Sequence, residues 1–561
     1  MKRLPQSFLW LVLIVLLGAI LRFWNLDLKP LWLDETITAL FSLGHTYSEV
    51  PLGQVQPLAD LSRLFQWQPA SCVAIAEAIR SQSTHPPLFF CWLHQWLGWV
   101  DRFDMSLAWK LRSLPAFLGI LAIPAVYRLN RVAFSPSAGL AAATLMAVSP
   151  FAVYLSQEAR HYTLPMLLII LSLVGLVLML QDLCERQAIN LGVWMGWSLL
   201  NGLGLYTHYF FALAATAQVL TLLSLSWMYR ARLPRRVWGV IGLAIATILL
   251  IDAPLLPQFF EHLQRPATDW LNLTTAGLNR WAPLLRFIAG LVIMTVIFPV
   301  EQQPLSITIV SGLAILSLTA WLGWRVFRGL QRLWRSAATH FSLLLLGLLL
   351  GWLLLEYFIV VYGFGKDLTL AFRYNFMLYP VVCALIGAGL TAPSDLEWKR
   401  SQPANFQVRA QGIRRDLPLV LLVGLLSSAC VVSGLAFLKP FQPQQIVQRL
   451  QTSTPILVTQ TYENWQSVAF GLSIAVNSPA TQQSTWLFQS SPIMIDIEEQ
   501  AQAPLIWLFS DLADQQPLPS ALRTSSSPTK RSINCPAVGE QHQAMNVRYQ
   551  SYRCISPKST R

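Results

Sequence analysis

The stretch "LKPLWLDETITALFSLGH" occupies residues 28–45, just past the first apolar run of the chain, and sets two adjacent carboxylates, Asp34 and Glu35, among leucines, a tryptophan and a phenylalanine. In a soluble protein such a pair reads as the acidic first turn of a helix, favoured by the positive end of its dipole. What precedes it changes the reading. An apolar run over Ser7–Ile20 follows Lys2 and Arg3, continues into Arg22 and Phe23, and lacks a small-x-small cleavage site, so it is expected to stay as a first membrane helix. The carboxylates then stand a few residues beyond a membrane span.

The rest of the chain agrees with a membrane setting. Of its 561 residues 54% are hydrophobic and only 12% charged, with 22 tryptophans, a balance that excludes an ordinary soluble globule. The net charge of +13 does not point to nucleic acid, because the basic residues fall in short clusters between apolar runs. Runs long enough to span lie near 7–24, 107–127, 137–155, 163–181, 189–207, 209–228, 236–256, 305–324, 341–362, 372–392 and 417–437, eleven in all. Strict alternation of these spans puts the basic loops on one side, which the positive-inside rule makes cytoplasmic: Arg128 and Arg131, Arg186, "YRARLPRR" at 229–236, "RVFRGLQRLWR" at 325–335, and Lys399, Arg400, Arg409, Arg414 and Arg415. "PPLFFCWLHQWLGWV" (86–100) and "RWAPLLRFIAGLVIMTVIFPV" (280–300) are read as interfacial or partly dipping helices, since letting either span would invert the arginine loops behind it.

The expected architecture is an all-α polytopic membrane protein with a small C-terminal α/β soluble domain. It divides into a transmembrane module over 1–392 with an outer loop at 25–106, a basic cytoplasmic linker at 393–416, a last span at 417–437 and an extracytoplasmic domain over 438–561. In that tail "PILVTQTY" and "APLIWLFSDL" read as short strands, and "SSSPTKR" (525–531) as a mobile loop. Cys72, Cys91, Cys184, Cys383 and Cys430 read as small buried hydrophobes, whereas Cys535 and Cys554, alone in the polar tail, are placed to form one disulfide.

Four polar groups emerge on the outer side of this arrangement: Asp34, Glu35 and His85 in the 25–106 loop; Glu158, Arg160, His161 and Tyr162 in "SQEARHY"; His208 in "LYTHYFF"; and Lys366, Asp367, Arg373 and Tyr374 in "GKDLTLAFRYNFMLYP". Carboxylates on separate loops suit proton transfer from an acceptor hydroxyl or amine. Arginines and a lysine suit a phosphate. Together they suit transfer of a group from a lipid-linked phosphate at a membrane surface. The bland alternatives are a helix-dipole role for Asp34 and Glu35, an ion pair for Glu158 and Arg160, a turn role for His85, and snorkelling for Arg373 and Lys366. His161 and His208 with nearby acids leave a divalent metal as an option that no spacing singles out.

"LWLDE", "HPPL", "SQEARHY" and "FRYNFMLYP", in this order over roughly residues 1–392, resemble the GT-C membrane glycosyltransferases, in the branch of the protein O-mannosyltransferases and the lipid A aminoarabinose transferase. The resemblance implies a polyprenyl-phosphate-sugar donor and inversion at the anomeric carbon. It implies Asp34 as catalytic base with Glu35 in support, Glu158 at a second acidic position, and Arg373 and Tyr374 near the donor phosphate. Arg160, Tyr162, Lys366, His85 and His208 complete the expected donor and substrate contacts. The acceptor is protein, glycan or lipid, and the expected location is a bacterial inner membrane with its catalytic loops and C-terminal domain outside the cytoplasm. A transporter or flippase of an amphipathic substrate is the competing reading, disfavoured because the polar residues gather on one side and no inverted repeat is visible. A relative that binds lipid-linked sugar without catalysis is the other.

Overall fold

The computed structural model describes residues 6–273, 280–393, 416–452, 454–490, 494–495, 505–512, 517–524 and 533–554. The basic linker and the loop at 525–531 therefore lie outside the described residues, apart from its first residue, Pro393, and its last, Asp416. The compact units do not follow chain order. One comprises residues 1–28, 84–89 and 112–437; the other comprises 29–83, 90–111 and 438–561.

The first unit is helical. Among the described residues seven helices are long and apolar enough to cross a membrane: Gln6–Phe23, Leu107–Ala133, Thr163–Arg186, Phe211–Met228, Arg236–Leu263, Leu305–Arg335 and Ala337–Gly363. A bent pair, Pro136–Val148 and Pro150–Ser156, meets at 57° and makes an eighth if the two are counted as one span. The remaining expected spans appear as shorter helices, Leu191–Leu205, Tyr379–Thr391 and Asp416–Val432. At about 1.5 Å per residue, the 13 residues of Tyr379–Thr391 reach only about 20 Å. The expected span at 372–392 is shortened because Phe372–Met377 is wound as a 3₁₀ turn instead. The stretch 280–300 contributes the helix Ala282–Ile293, also too short to span alone.

The bend at Ser149–Pro150 has a local cause. Proline cannot continue the preceding helix but is at home in the first turn of the next, and the Ser149 hydroxyl caps that turn by accepting from the Ala152 amide at 3.2 Å. The broken helix leaves carbonyls without helical partners. Arg22, fully buried, donates to the carbonyls of Met146 at 2.8 Å and Ala147 at 3.0 Å. This arginine, read from the sequence as a charge flanking the first helix, closes the helix end instead. The Gln157 amide donates to the Trp24 carbonyl at 2.8 Å and ties the following corner to the end of the first helix. Helices elsewhere touch at glycine: a Cβ on Gly329 would come within 1.9 Å of the Gly389 carbonyl oxygen.

The second unit is built on a mixed eight-stranded sheet. Its strands are β1 (Gln56–Pro57), β2 (Ile456–Thr461), β3 (Ser484–Gln489), β4 (Met494–Ile495), β5 (Leu505–Phe509), β6 (Ala521–Thr524), β7 (Ile533–Ala544) and β8 (Val547–Arg553), in the order β1-β3-β2-β5-β8-β7-β6-β4. The two strands expected in the tail are thus β2 and β5, paired in parallel. The edge strand β1 comes from the segment after the first membrane helix and pairs antiparallel with β3. The "small C-terminal domain" of the sequence reading is therefore shared with that early loop. Leu457, Leu487, Ile506, Leu508 and Tyr552 pack its core, beside Cys535.

Cys535 and Cys554 are bonded, as expected. Cys72 and Cys91 are bonded too, which corrects their reading as isolated buried hydrophobes. Their bridge joins the start of the helix Cys72–Gln82 to the helix Leu88–Val100. His94, expected on the polar face of an interfacial helix, is buried; one ring nitrogen lies 3.0 Å from the Ser42 carbonyl and the other accepts from the Ala70 amide at 3.2 Å. Exposed Trp92 and Trp99 keep the opposite face of that helix apolar.

Candidate active site

The expected site residues divide between the two units. In the first, four segments converge: the corner 157–162 after Pro150–Ser156, the turn 206–210, the stretch 84–87, and the 3₁₀ turns Leu368–Leu370 and Phe372–Met377. Each comes at a helix end, where backbone groups need partners and the chain leaves the regular helix. Arg160 is buried, and its Nη2 lies 2.8 Å from Nε2 of His85. An arginine is always a donor, so that His85 nitrogen accepts and the imidazole proton sits on Nδ1. The Arg160 amide donates to the Glu158 carbonyl at 2.7 Å, and both residues are buried. Arg373 donates from Nε to the Tyr162 hydroxyl at 3.0 Å and lies 5.8 Å from the Tyr374 ring centre.

Rings fill the space around these cations. His161 stands 4.5 Å from His208 and 5.2 Å from His85, centre to centre, and His208 stands 4.8 Å from Phe376. Phe210 meets Tyr374 edge-on at 4.8 Å. Burial, followed by the neighbouring charges of Arg160 and Arg373, pushes His208 down to about 3. Burial, then the facing His208 and Arg160, holds His161 well below the usual histidine value, and His85 is lowered first by desolvation and then by Arg160. All three rings are accordingly neutral near pH 7, and the positive charge of the cluster resides on the two arginines. Among the described residues no group of three or more His, Cys, Asp and Glu side chains is arranged to hold a metal ion.

Lys366 and Asp367 are committed elsewhere in this unit. Lys366 donates from Nζ to Asn272 Oδ1 at 2.6 Å, and the buried Asp367 pairs with Arg286 while accepting from the Thr369 amide at 3.0 Å. These bonds pin the 269–272 segment and the helix Ala282–Ile293 to the turn that leads into Arg373. Phe210, Phe376 and Trp270, the last 6.3 Å from Tyr374, join the ring cluster without having been singled out by the sequence. Nothing distinguishes them there from the many aromatic residues of membrane helices.

In the second unit Asp34 and Glu35 form the first turn of the helix Leu33–Ser42, as the dipole argument expects, yet their surroundings differ. Asp34 is half-buried, whereas Glu35 is fully buried and bonded to Lys439 Nζ at 3.1 Å. Lys439 also lies 5.7 Å from the Trp32 ring centre. Adjacent helical side chains point about 100° apart, so one carboxylate of the pair turns inward while its neighbour does not.

Residues 84–256 match the family model described as dolichyl-phosphate-mannose-protein mannosyltransferase. No curated protein sequence matches the chain. Among solved structures, ArnT from Cupriavidus metallidurans in the apo state is similar at 13% identity with a TM-score of 0.51, over 98% of both chains. The oligosaccharyltransferase of Archaeoglobus fulgidus is similar at 14% identity and a TM-score of 0.46, over 90% of this chain and 68% of that one. The Saccharomyces cerevisiae Pmt1-Pmt2 complex is similar over 47% of this chain and 34% of that one, at 14% identity and a TM-score of 0.33. The likeness to ArnT extends the resemblance seen in the motifs from residues 1–392 to nearly the whole chain, including the sheet-bearing part. The fold is ArnT-like.

Proposed function

We propose that this chain of GT-C fold is an inverting glycosyltransferase that moves a sugar from a polyprenyl-phosphate-linked donor to an acceptor at the outer face of a membrane, in a bacterial inner membrane on the sequence reading. The observation that carries this reading is the convergence of Arg160 on His85 and of Arg373 on Tyr162 within one wall of aromatic rings. Two guanidinium groups supply the fixed charge and flat donor geometry that a phosphate needs. Arg373 and Tyr374 are half-exposed and so accessible to it, and the half-buried rings of Tyr374 and His85 offer faces to a sugar. Lys366, occupied by Asn272, serves as a clamp on the Arg373 turn in this reading, in place of the phosphate contact that the resemblance suggested. Buried Glu158 backs the Arg160 corner.

Asp34 takes the proton of the acceptor hydroxyl or amine as that atom attacks the anomeric carbon. The bond from that carbon to the phosphate oxygen breaks, and its electron pair leaves with the polyprenyl phosphate. One displacement inverts the configuration, and no covalent enzyme intermediate is required. The test is sugar transfer by purified protein in detergent, with a panel of polyprenyl-phosphate sugars and a membrane extract as acceptor. Wild type is expected to turn over one donor and Asp34→Asn to lose at least about 100-fold, the range that a general base supplies. Retained turnover in Asp34→Asn would remove this residue as the base.

A further inference from the structure

We infer that Lys439 and Asn477, from the part of the chain beyond the last membrane helix, are positioning residues for the Asp34 carboxylate. This rests on the assignment of Asp34 as the base.

In the first turn of the helix Leu33–Ser42 the Thr36 amide donates to the Trp32 carbonyl at 2.9 Å and the Thr38 hydroxyl to the Asp34 carbonyl at 3.1 Å. Partners from far along the chain fix this turn on both sides of Asp34. Asn477 donates from Nδ2 to the Leu31 carbonyl at 2.7 Å, and it also donates to its own helix at the Ser473 carbonyl. Lys439 reaches the Trp32 ring face and holds the Glu35 carboxylate at 3.1 Å. Residues 31, 32 and 35 are thereby anchored, and the backbone at 34 has little freedom left.

The chemistry of the pair points the same way. The Glu35 side chain is 0% exposed and that of Lys439 5% exposed, so neither presents a charge to a substrate in water. A buried ion pair contributes little net stability against an apolar pair of the same shape, because desolvating two charges offsets their attraction. What it does supply is placement: a carboxylate buried beside its cation is held toward it, because turning away would leave a buried charge uncompensated. With Glu35 directed inward, the helical geometry directs Asp34 to the accessible side. A displacement of about 1 Å at a catalytic group costs on the order of 100-fold in rate.

Lys439→Met alone leaves Glu35 buried without its cation and can fail to fold. The decisive variant is therefore the double substitution Glu35→Gln with Lys439→Met, which removes the pair without leaving a lone charge. Two readouts are taken on the full-length protein in detergent. Hydrogen exchange of the segment 31–42 is expected to rise at least about 10-fold, while the helix Trp465–Asn477 keeps its protection. With the donor that turns over in the panel, kcat is expected to fall on the order of 100-fold with the donor KM unchanged, and Lys439→Arg to retain most of the rate. Unchanged exchange at 31–42 overturns the inference, as does raised exchange with a wild-type kcat. If the panel gives no turnover, the exchange result decides alone. A fully active Asp34→Asn protein sinks the assignment of the base, a result separate from an inactive Asp34→Asn beside a fully active double variant, which sinks only the positioning role.

Discussion

At the scale of single residues, the chain keeps two kinds of polar group in apolar surroundings, and their protonation has a measurable consequence. His161 and His208 are neutral when folded, His208 down to about pH 3, whereas an unfolded histidine titrates near 6.5. Below about pH 6.5 the unfolded chain takes up protons that the folded one refuses, so stability is complete above that pH and falls as the pH drops through it. Each histidine contributes up to about 1.4 kcal/mol per pH unit in this window. Thermal unfolding in detergent should therefore show a lower midpoint at about pH 5.5 than at about pH 7.5, and His208→Gln should flatten that slope. A midpoint independent of pH would contradict the burial of these rings. The residues at issue were legible in the sequence, because histidine and arginine at helix ends stand out against an apolar chain. Their neutrality was not, since it depends on desolvation by segments that only the fold brings near. Lys439 shows the opposite failure: its identity was visible, but its partner Glu35 precedes it by most of the chain.

At the scale of elements, apolar runs gave most helices and left the breaks to local chemistry. The span expected at 137–155 became two helices at Ser149–Pro150, a dipeptide whose effect can be argued from sequence. The late start of Tyr379–Thr391 cannot, because the stretch before it is held by Arg286, from the separate helix Ala282–Ile293, bonded to Asp367 and Thr369. The bond between Cys72 and Cys91 was also illegible. Cys91 sits in a tryptophan-rich apolar helix, where a small buried residue is the ordinary expectation, and spacing does not name partners. In the chain-entropy account, closing a loop across a sequence separation of 19 stabilises by about 3 kcal/mol. Replacing both cysteines by serine should lower the denaturation midpoint of the second unit accordingly. Intact-mass measurement after alkylation without reductant should find three modified cysteines in wild type, matching free Cys184, Cys383 and Cys430. More than three would show that one of the bridges is open.

At the scale of the whole molecule, the proposed reading expects the exposed basic turn Arg230–Arg232 in the cytoplasm and the tail on the other side. Single cysteines introduced at 231–235 should react with a membrane-impermeant reagent only from the cytoplasmic face, and one at Met545 only from the outer face. Labelling of both from one side would require a different number of crossings. The sheet adds a matter of timing. Strand β1 and the turn bearing Asp34 leave the ribosome early, but β3, Lys439 and Asn477 are made only after every spanning helix has been threaded. The early segment must wait, unfinished, through most of synthesis. On the proposed reading, a chain interrupted before residue 439 would be inserted in the membrane yet unable to act on its lipid-linked donor, and the synthesis of Lys439 and Asn477 would itself be the event that switches the enzyme on.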